Sequence, residues 1–443
     1  MKKLIFVIVS LFCFVLSASK VAVVDSGTDF DHVKLQGHAW VNTNEAIGNM
    51  VDDDNNGKVD DIVGWNFADN YGKVFFPEHL SSIKPIVFKI FEVLAKIQLG
   101  TVTQEDKDFW NTNVASLPED KKKELLDNLN FYGQYAHSTH CSGIIALGNP
   151  NAKIMSARIF PDSLPTDTAQ FLGESVIDRN PLYTVLAYSS NQVFVKVSDY
   201  LKETQMDVAN YSLGVSLPAI AKKYLSLWGT PTEEEIITET QKLFEAFEPI
   251  GKEWMQNSSN TLFVIAAGND GVDNDVYPYF PANVSVDNAI TVAATKDFEA
   301  LASFSNYGKT TVHVAAPGVA IMSTVPDTTQ TLMLPMSGTS MAAPYVSMVS
   351  SLLKDTNPKL TPKEIKIILM ETSDKKEWLK DKVISGGVVN SERAVKTAYY
   401  SNYMSVYDAI VRTSGEISDV PIKTVKRDRT YSEMQKWSKQ LTF

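Results

Sequence analysis

The chain has 443 residues, of which 44% are hydrophobic and 21% are charged, and its formal net charge is −11 at pH 7. This is the composition of a globular protein, and the length is enough for one large domain or two smaller ones. The negative charge argues against a nucleic-acid partner, because phosphate binding needs clustered Lys and Arg side chains.

The N-terminus has the pattern of a secretory signal peptide. Two lysines precede an apolar run from Leu4 to Leu16, and small residues follow it as far as Ser19. The apolar run is too short to span a bilayer comfortably, so the pattern favours a removed segment over its alternative, an uncleaved anchor. We therefore expect a mature N-terminus near Ser19 or Lys20 and a secreted or periplasmic protein that leaves the membrane after cleavage.

Short apolar runs alternate with helical patterns along the rest of the chain. Because these runs are hydrophobic throughout rather than alternating, they predict parallel strands that are buried on both faces. The predicted strands are Val21–Asp25, Ala152–Phe160, Asp207–Leu213, Thr261–Ala267, Ala289–Ala294 and Val312–Ala315. The sequence therefore predicts an α/β fold of three layers, with a mostly parallel central sheet covered by helices.

Two stretches interrupt this alternation with helical periodicity. Between Ile83 and Leu99 the apolar residues fall on one helical stripe. Farther along, Thr230-Pro231-Thr232-Glu233 has the pattern of a capping box with proline at the first helical position. We predict two helical insertions, at about residues 68–130 and 215–258, which either pack against the sheet or wall the substrate groove.

The chain thus divides into three predicted parts. Residues 1–19 form the signal peptide, residues 20–400 form the sheet domain with its two insertions, and residues 401–443 form a C-terminal extension. The extension is polar and of mixed charge. Its pattern leaves open whether it is an appended helix or a loose tail.

An acidic stretch between residues 50 and 61 places oxygen-bearing side chains at alternating positions around a glycine. Hard cations such as Ca²⁺ prefer such oxygens, but no glutamate closes this stretch as it would close a typical calcium loop. The stretch is therefore either a structural calcium site or a solvated acidic turn. Its candidate ligands are Asp52, Asp54, Asn56 and Asp60.

The most specific segment of the chain is Ser337-Gly338-Thr339-Ser340-Met341-Ala342-Ala343-Pro344. A serine hydroxyl is a poor nucleophile at neutral pH unless a base takes its proton. At a helix N-terminus it gains the helix dipole and free backbone donors for a developing oxyanion. We place Pro344 in the first helical turn, where its missing amide matters little. The segment indicates Ser340 as a nucleophile.

This segment resembles the nucleophile signature of the subtilisin-like serine protease family, the subtilases of peptidase family S8. The resemblance covers roughly residues 20–399 outside the two insertions, and it implies catalytic groups in the chain order Asp, His, Asn and Ser. The buried strand and turn Val21-Ala22-Val23-Val24-Asp25-Ser26-Gly27 are similar to the family's aspartate motif. Asp25 is therefore expected to orient the catalytic imidazole and to stabilise its protonated form.

Two more segments extend the resemblance to the base and the oxyanion hole. His137-Ser138-Thr139-His140-Cys141-Ser142-Gly143 resembles the histidine motif, whose first histidine is the base, so His137 has this role and His140 is structural. The strand that runs into Gly268-Asn269-Asp270 matches the place of the family's asparagine, which makes Asn269 the expected side-chain donor to the oxyanion.

The segment Asn210-Tyr211-Ser212-Leu213-Gly214 resembles the family's substrate-binding strand. There the backbone of the residues corresponding to Ser212, Leu213 and Gly214 pairs with an extended peptide, as in β-strand addition. The resemblance therefore implies that protein or peptide segments bind along these three residues.

The chain departs from the family pattern in two ways. Ser138 stands where the family usually has glycine, and its hydroxymethyl group is expected to crowd the start of the helix. Because the first strand is expected to begin at about Lys20, we expect no inhibitory propeptide of the usual kind between signal peptide and sheet domain. Removal of the signal peptide leaves Cys141 as a lone cysteine, so no internal disulfide is expected.

We therefore expect a secreted serine endopeptidase that hydrolyses peptide bonds through an Asp/His/Ser triad and an acyl-enzyme intermediate. No cofactor is required for this chemistry, and the sequence does not indicate an oligomeric state. One alternative is a catalytically silent peptide-binding protein on the same fold, which the two departures favour. The other is an unrelated calcium-binding scaffold, which only the acidic stretch favours.

Overall fold

A computed structural model describes residues 18–161 and 179–420, apart from the side chains of residues 179–182 and 185. Almost all of the predicted signal peptide therefore lies outside the described residues, as does the end of the C-terminal extension. Ten α-helices lie in the described part of the chain. They are α1 Ile86–Leu99, α2 Gln104–Trp110, α3 Glu119–Gly148, α4 Arg179–Glu203, α5 Leu217–Leu225, α6 Glu233–Asn257, α7 Thr339–Thr356, α8 Pro362–Glu371, α9 Ser391–Tyr400 and α10 Val406–Glu416.

The described strands belong to one large sheet and two short antiparallel pairs. They are β1 Lys20–Asp25, β2 Gly64–Asn66, β3 Lys153–Arg158, β4 Val208–Tyr211, β5 Val215–Ser216, β6 Leu262–Ala266, β7 Tyr279–Phe280, β8 Ala289–Lys296, β9 Ala300–Leu301, β10 Val314–Pro317, β11 Ile321–Thr324, β12 Met333–Met336, β13 Asp374–Lys375 and β14 Gly387–Val388. The predicted strands are confirmed as β1, β3, β4, β6, β8 and β10, with ends shifted by one or two residues.

The large sheet has the order β13-β14-β10-β8-β6-β4-β1-β3-β2, and β9 pairs with β8. All pairings from β2 across to β14 are parallel, while β9 and β13 run antiparallel to their neighbours. The mostly parallel α/β sheet that the sequence predicts is therefore confirmed. Parallel strands need long crossovers, and the helices between them supply these connections.

Two hydrophobic cores lie on opposite faces of this sheet. Along β1, Val21 and Val23 point into one core, and Ala22 and Val24 point into the other. The first core is closed by α1, α3 and α7 to α9, and the second by α4, α5 and α6. Both faces of the sheet are therefore covered, which explains why its strands are hydrophobic throughout.

The two predicted helical segments occupy opposite faces. The first contains α1 and α2, and its predicted end at about residue 130 lies inside α3, so one helix of 30 residues carries both the end of this segment and His137. The second contains α5 and α6 and packs on the α4 face. Within the extension, α10 packs against α9, so this part is an appended helix.

The predicted capping box of the second segment is corrected by two residues. The N-cap is Thr232 rather than Thr230: its side chain accepts from the N–H of Glu235, whose carboxylate accepts from the N–H of Thr232. Thr230 and Thr232 each stand three residues before a glutamate, which is the spacing of a capping box. With Thr232 as the N-cap, Pro231 precedes the cap and lies outside the helix.

Candidate active site

Three of the predicted site residues lie at or just after the carboxyl ends of neighbouring strands. Asp25 is the last residue of β1, Ser212 directly follows β4, and Asn269 follows β6 within three residues. Because β1, β4 and β6 are adjacent and parallel, their carboxyl ends meet at one edge of the sheet. Ser340 is the second residue of α7, and it lies at this same edge in a shared cavity of about 510 Å³.

Asp25 and His137 form a buried pair within this cavity. The Nδ1 atom of His137 lies 2.9 Å from Oδ1 and 2.8 Å from Oδ2 of Asp25. His137 is 9% exposed and Asp25 is 1% exposed. Burial, the largest contribution, lowers the pKa of His137, but the charge of Asp25 and its hydrogen bond outweigh burial and raise this pKa well above 6.5. The geometry thus fixes Nδ1 on the carboxylate and leaves Nε2 as the atom for proton transfer.

Pro344 shapes the backbone at Ser340, although not as the sequence suggested. The helix begins at Thr339, so Pro344 is in its second turn, and the prediction that it lies in the first turn is wrong. Proline has no N–H, so the carbonyl of Ser340, four residues earlier, receives no helical hydrogen bond from it. That carbonyl instead accepts from the hydroxyl of Ser212 at 2.8 Å and from the thiol of Cys141 at 3.4 Å. These contacts join α7 to β4 and α3.

The hydroxyl of Ser340 has a backbone acceptor in this structure. It donates to the carbonyl of Ser212 at 3.1 Å rather than to His137. Catalytic hydrogen bonds in ligand-free enzymes are often loose, and one rotation of a serine side chain redirects its hydroxyl. The backbone N–H of Ser340 lies in the first turn of α7, where the helix offers it no acceptor.

Asn269 is hydrogen-bonded to Thr339, the residue that precedes Ser340 in α7. Its Oδ1 accepts from the backbone N–H and from the hydroxyl of Thr339, both at 2.9 Å. These two bonds orient the carboxamide, and Asn269 lines the same cavity as Ser340. The structure therefore brings Asn269 and Ser340 into one cavity, and the role of Asn269 as an oxyanion donor stays a prediction.

The predicted substrate-binding residues Ser212, Leu213 and Gly214 also line the cavity. A Cβ atom at Gly214 would lie 2.4 Å from the ring of Tyr279, so any larger residue there would have to displace that ring. The cavity therefore has a narrow backbone-lined side next to Ser340.

His140 and Cys141 are buried parts of the site's support. The Nε2 atom of His140 lies 3.0 Å from the carbonyls of Ile321 and Leu334, and burial lowers its pKa to about 3. His140 is therefore a neutral residue that ties α3 to the β11–β12 hairpin. Burial raises the pKa of the Cys141 thiol, so it stays protonated and can donate to Ser340.

Ser138 does not lie at a helix start, because α3 begins at Glu119. Its hydroxyl shares a hydrogen bond of 2.9 Å with Thr28, whose hydroxyl is in turn 2.8 Å from that of Ser142. All three hydroxyls belong to buried residues. The crowding expected at a helix start is therefore absent, and Ser138 belongs to a small cluster of buried hydroxyls with Thr28 and Ser142.

Sequence reasoning missed the residues that form the far side of the cavity. They are His79, Phe131, Gln134, Tyr135, Arg158 and Phe160. Phe131, Gln134 and His137 are three residues apart on α3, so they share a face of the helix. An unbroken apolar stripe through residues 119–148 would have predicted one helix and placed Phe131 and Gln134 beside His137. The polar residues that face the cavity interrupt this stripe.

The acidic stretch folds into a loop that differs in part from the predicted calcium site. Carboxylate oxygens of Asp52 and Asp54 come within 4.8 Å of each other and of Glu45, which the sequence pattern missed. Asp60 instead accepts from the backbone N–H groups of residues 48 and 50, and Asn56 donates to Asp61. The convergent carboxylates are therefore Glu45, Asp52 and Asp54.

Among the residues that the structure describes, no helix is both long enough and apolar enough to cross a bilayer.

Comparisons with known proteins identify the family. A model of the subtilase family matches residues 17–391. Subtilisin-like protease 1 of Plasmodium berghei is 27% identical over 394 residues, which cover 86% of this chain and 50% of that protein. An extracellular protease of Xanthomonas campestris is 37% identical over 155 residues, which cover 32% of this chain and 26% of that protein. The chain thus spans half or less of the length of these relatives.

A solved structure gives the same fold. A chain from a structure of the subtilase cytotoxin SubAB assembly aligns with a TM-score of 0.50 and 20% identity, covering 88% of this chain and 92% of that chain. At this identity the likeness concerns the fold.

Proposed function

The chain belongs to the subtilase family, and from this premise we propose that it is a secreted serine endopeptidase acting through an acyl-enzyme intermediate. The observation that carries the proposal is the buried pair of Asp25 and His137 in one cavity with Ser340 and Asn269. A base held by a carboxylate beside a serine at a helix N-terminus is the arrangement that activates a hydroxyl.

The proposed reaction follows from these positions. Ser340 Oγ attacks the carbonyl carbon of a peptide bond, and Nε2 of His137 accepts the hydroxyl proton. Asp25 holds Nδ1–H and stabilises the imidazolium that forms. The tetrahedral oxyanion accepts hydrogen bonds from the Ser340 N–H and from the Asn269 amide, and loss of one such donor typically slows an enzyme about a hundred- to a thousandfold.

The second half of the reaction reverses the proton transfers. His137 gives its proton to the leaving amine, and the acyl group stays on Ser340. Water then enters, His137 takes one of its protons, and the oxygen attacks the ester carbonyl. The bond between the acyl carbon and Ser340 Oγ breaks, His137 returns the proton to Oγ, and the acid is released. No cofactor takes part in either half, and the substrates are proteins or peptides that lie along Ser212, Leu213 and Gly214.

Labelling with a fluorophosphonate tests this proposal. Such a probe reacts with a serine only when a neighbouring base activates it. We expect the purified protein to be labelled at Ser340, as mapped by peptide mass spectrometry, and Ser340→Ala to be unlabelled. His137→Ala should lose labelling as well, although Ser340 remains. Equal labelling of all three proteins, or labelling of none, would contradict the proposal.

Export is the second part of the proposal. The basic start, the apolar run and the small residues before Lys20 support a signal peptide, and the Xanthomonas relative carries the name extracellular protease. N-terminal sequencing of protein collected outside the cells should begin near Ser19 or Lys20. Recovery of a chain that starts at Met1 would contradict export by this route.

We also propose a structural calcium ion in the acidic loop. The three carboxylates of Glu45, Asp52 and Asp54 repel one another at their separation, and oxygen ligands of this kind suit Ca²⁺. Calcium should raise the melting temperature of the wild-type protein, and it should raise that of an E45Q/D52N variant less. No calorimetric heat and no shift in either protein would remove the ion from the account.

A further inference from the structure

The cavity around Ser340 has two unlike sides. At the ends of β4 and β6 the lining consists of Ser212, Gly214 and Gly268, with the ring of Tyr279 beside both glycines. Four further rings, those of His79, Phe131, Tyr135 and Phe160, line the cavity around α3 and the end of β3, which β1 separates from β4 and β6 in the sheet; we call them the aromatic wall. Nothing in the predicted reaction uses these four rings, so the aromatic wall needs a separate explanation.

Three of the four rings of the aromatic wall, those of His79, Phe131 and Tyr135, contact one another. Phe131 and Tyr135 lie one helical turn apart on α3, and their rings are parallel, with centroids 6.2 Å apart. His79 meets both rings edge-on, at 6.0 Å from Phe131 and 5.9 Å from Tyr135. Edge-to-face and parallel contacts at these separations are favourable, so the rings hold one another in place.

Contacts behind the wall fix it to the catalytic end of the sheet. The hydroxyl of Tyr135 donates to the carbonyl of Phe76 at 2.9 Å. The guanidinium of Arg158 lies 4.6 Å from the ring centroid of Phe76, and its Nη1 donates to the carbonyl of Ser26 at 2.8 Å. Ser26 directly follows Asp25, so the wall and the catalytic carboxylate share one rigid support.

The wall is close to the base along α3. Phe131 precedes His137 by six residues, which is about 9 Å along a helix axis. A peptide whose scissile bond lies at Ser340 and His137 must therefore pass the aromatic wall within one or two residues.

Part of the wall is open to solvent. Phe160 is 39% exposed at the rim of the cavity, and Phe131 is half-buried. Rings that face solvent in a catalytic cavity present apolar surface, and burial of such surface by a ligand is favourable.

An extended peptide presents this surface with alternate side chains. Successive side chains of a strand point to opposite faces. When one side chain enters the backbone-lined side of the cavity, its neighbour in the peptide faces the aromatic wall. Resting on the peptidase activity proposed above, we propose that the aromatic wall is a specificity subsite. It accepts a large apolar side chain, aromatic or branched aliphatic, from a residue adjacent to the one whose carbonyl Ser340 attacks.

Arg158 also lines the cavity, and it raises the question of an acidic side chain instead. Its guanidinium lies over the ring of Phe76, and its Nη1 donates to the carbonyl of Ser26. Arg158 is only 5% exposed, whereas Phe160 is 39% exposed and Phe131 is half-buried. The structure therefore favours an apolar side chain, and a preference for Asp or Glu is the competing outcome.

Quenched fluorescent peptides that vary one position at a time test the subsite. At one of the two positions next to the attacked residue, we expect kcat/KM for Phe, Tyr or Leu to exceed that for Ala about 10- to 100-fold, the range that pocket contacts provide. Equal rates across side chains, or a preference for acidic residues there, would overturn the proposal.

Variants assign the preference to the wall. Phe131→Ala should reduce the ratio of Phe to Ala substrates about tenfold, and Phe131→Asp should shift the preference towards Lys and Arg. Phe88→Ala is the matched control, because Phe88 lies in the same helical segment and packs on Tyr132 away from the cavity. It should leave the ratio unchanged. A ratio that falls equally in Phe88→Ala and Phe131→Ala would refute the subsite.

Fluorophosphonate labelling separates the two levels of this argument. A variant that is labelled at the wild-type rate but has lost its preference supports the subsite. Wild-type protein that is labelled but cleaves peptides without preference contradicts the subsite and leaves the peptidase intact. Wild-type protein that is not labelled contradicts the peptidase itself.

Discussion

The two helical segments have similar sequence signatures and opposite positions. The first, through α1 to α3, lies on the α7 face of the sheet and ends inside the catalytic cavity. The second, around α6, lies on the other face, where Trp254 is enclosed by Phe194 and Tyr211. No residue of α6 is among the described residues that line the cavity. Periodicity thus reveals a helix, while its function depends on the face and the edge of the sheet that it covers.

The largest expected effect is at the end of the first segment, where α3 carries His137. The base must be neutral, so activity should rise with pH through its pKa, which Asp25 raises above 6.5. Asp25→Asn removes that charge, while burial remains and lowers the pKa. We expect kcat to fall about 10⁴-fold and the acid limb of the kcat/KM profile to move to lower pH. A limb that stays in place would mean that Asp25 does not control His137.

The next effect concerns the second segment. Trp254 is 1% exposed, and its indole N–H donates to Asn191. Trp254→Ala should lower the free energy of unfolding by about 3–5 kcal/mol, the cost of truncating a buried tryptophan. Denaturant unfolding measures this loss. The kcat/KM per folded molecule should not change, and a large change would break the contrast between the two segments.

Ser138 gives a smaller effect at the catalytic end of the first segment. Ser138→Gly removes the hydrogen bond to Thr28 and puts glycine inside a long helix. We expect a loss of about 1–2 kcal/mol in unfolding free energy, from helix propensity and one hydrogen bond together. Ser138→Ala keeps the propensity and isolates the hydrogen bond. Higher activity in the glycine variant would restore the idea that Ser138 crowds the site.

The smallest effect is at the aromatic wall. Tyr135→Phe removes the hydroxyl that donates to Phe76 and leaves a buried carbonyl without that donor. The unfolding free energy should fall by about 1 kcal/mol, as measured beside Phe88→Ala by thermal or chemical denaturation. The rate of fluorophosphonate labelling should stay at the wild-type value, since Tyr135 does not touch Ser340. A slower rate would show that the wall also positions the catalytic groups.

Much of the sheet and of the predicted site could be read from the sequence, because each depends on local pattern. Strands buried on both faces leave continuous apolar runs, and parallel strands bring Asp25, Ser212 and Asn269 to one edge. These inferences need no knowledge of distant contacts. They were correct for the strands and for the shared cavity.

The remaining features depend on contacts that local pattern does not contain. Glu45 joins Asp52 and Asp54 only because the acidic loop folds back on itself. Likewise, the apolar pattern does not reveal that α3 continues to His137, because the side of α3 that faces the cavity is polar at Gln134. The true cap at Thr232 competes with an identical spacing two residues earlier. In these three cases the local sequence allows more than one structure, and contacts with distant parts of the chain determine which one forms.

The central claim is that Ser340 forms a covalent acyl-enzyme with a peptide carbonyl. Acid quenching of the protein during turnover of an aromatic peptide ester, followed by intact mass spectrometry, tests it most directly. We predict an added mass equal to the acyl group, mapped to Ser340, that is absent in Ser340→Ala together with turnover. Continued turnover by Ser340→Ala, or an adduct on another residue, would contradict the account.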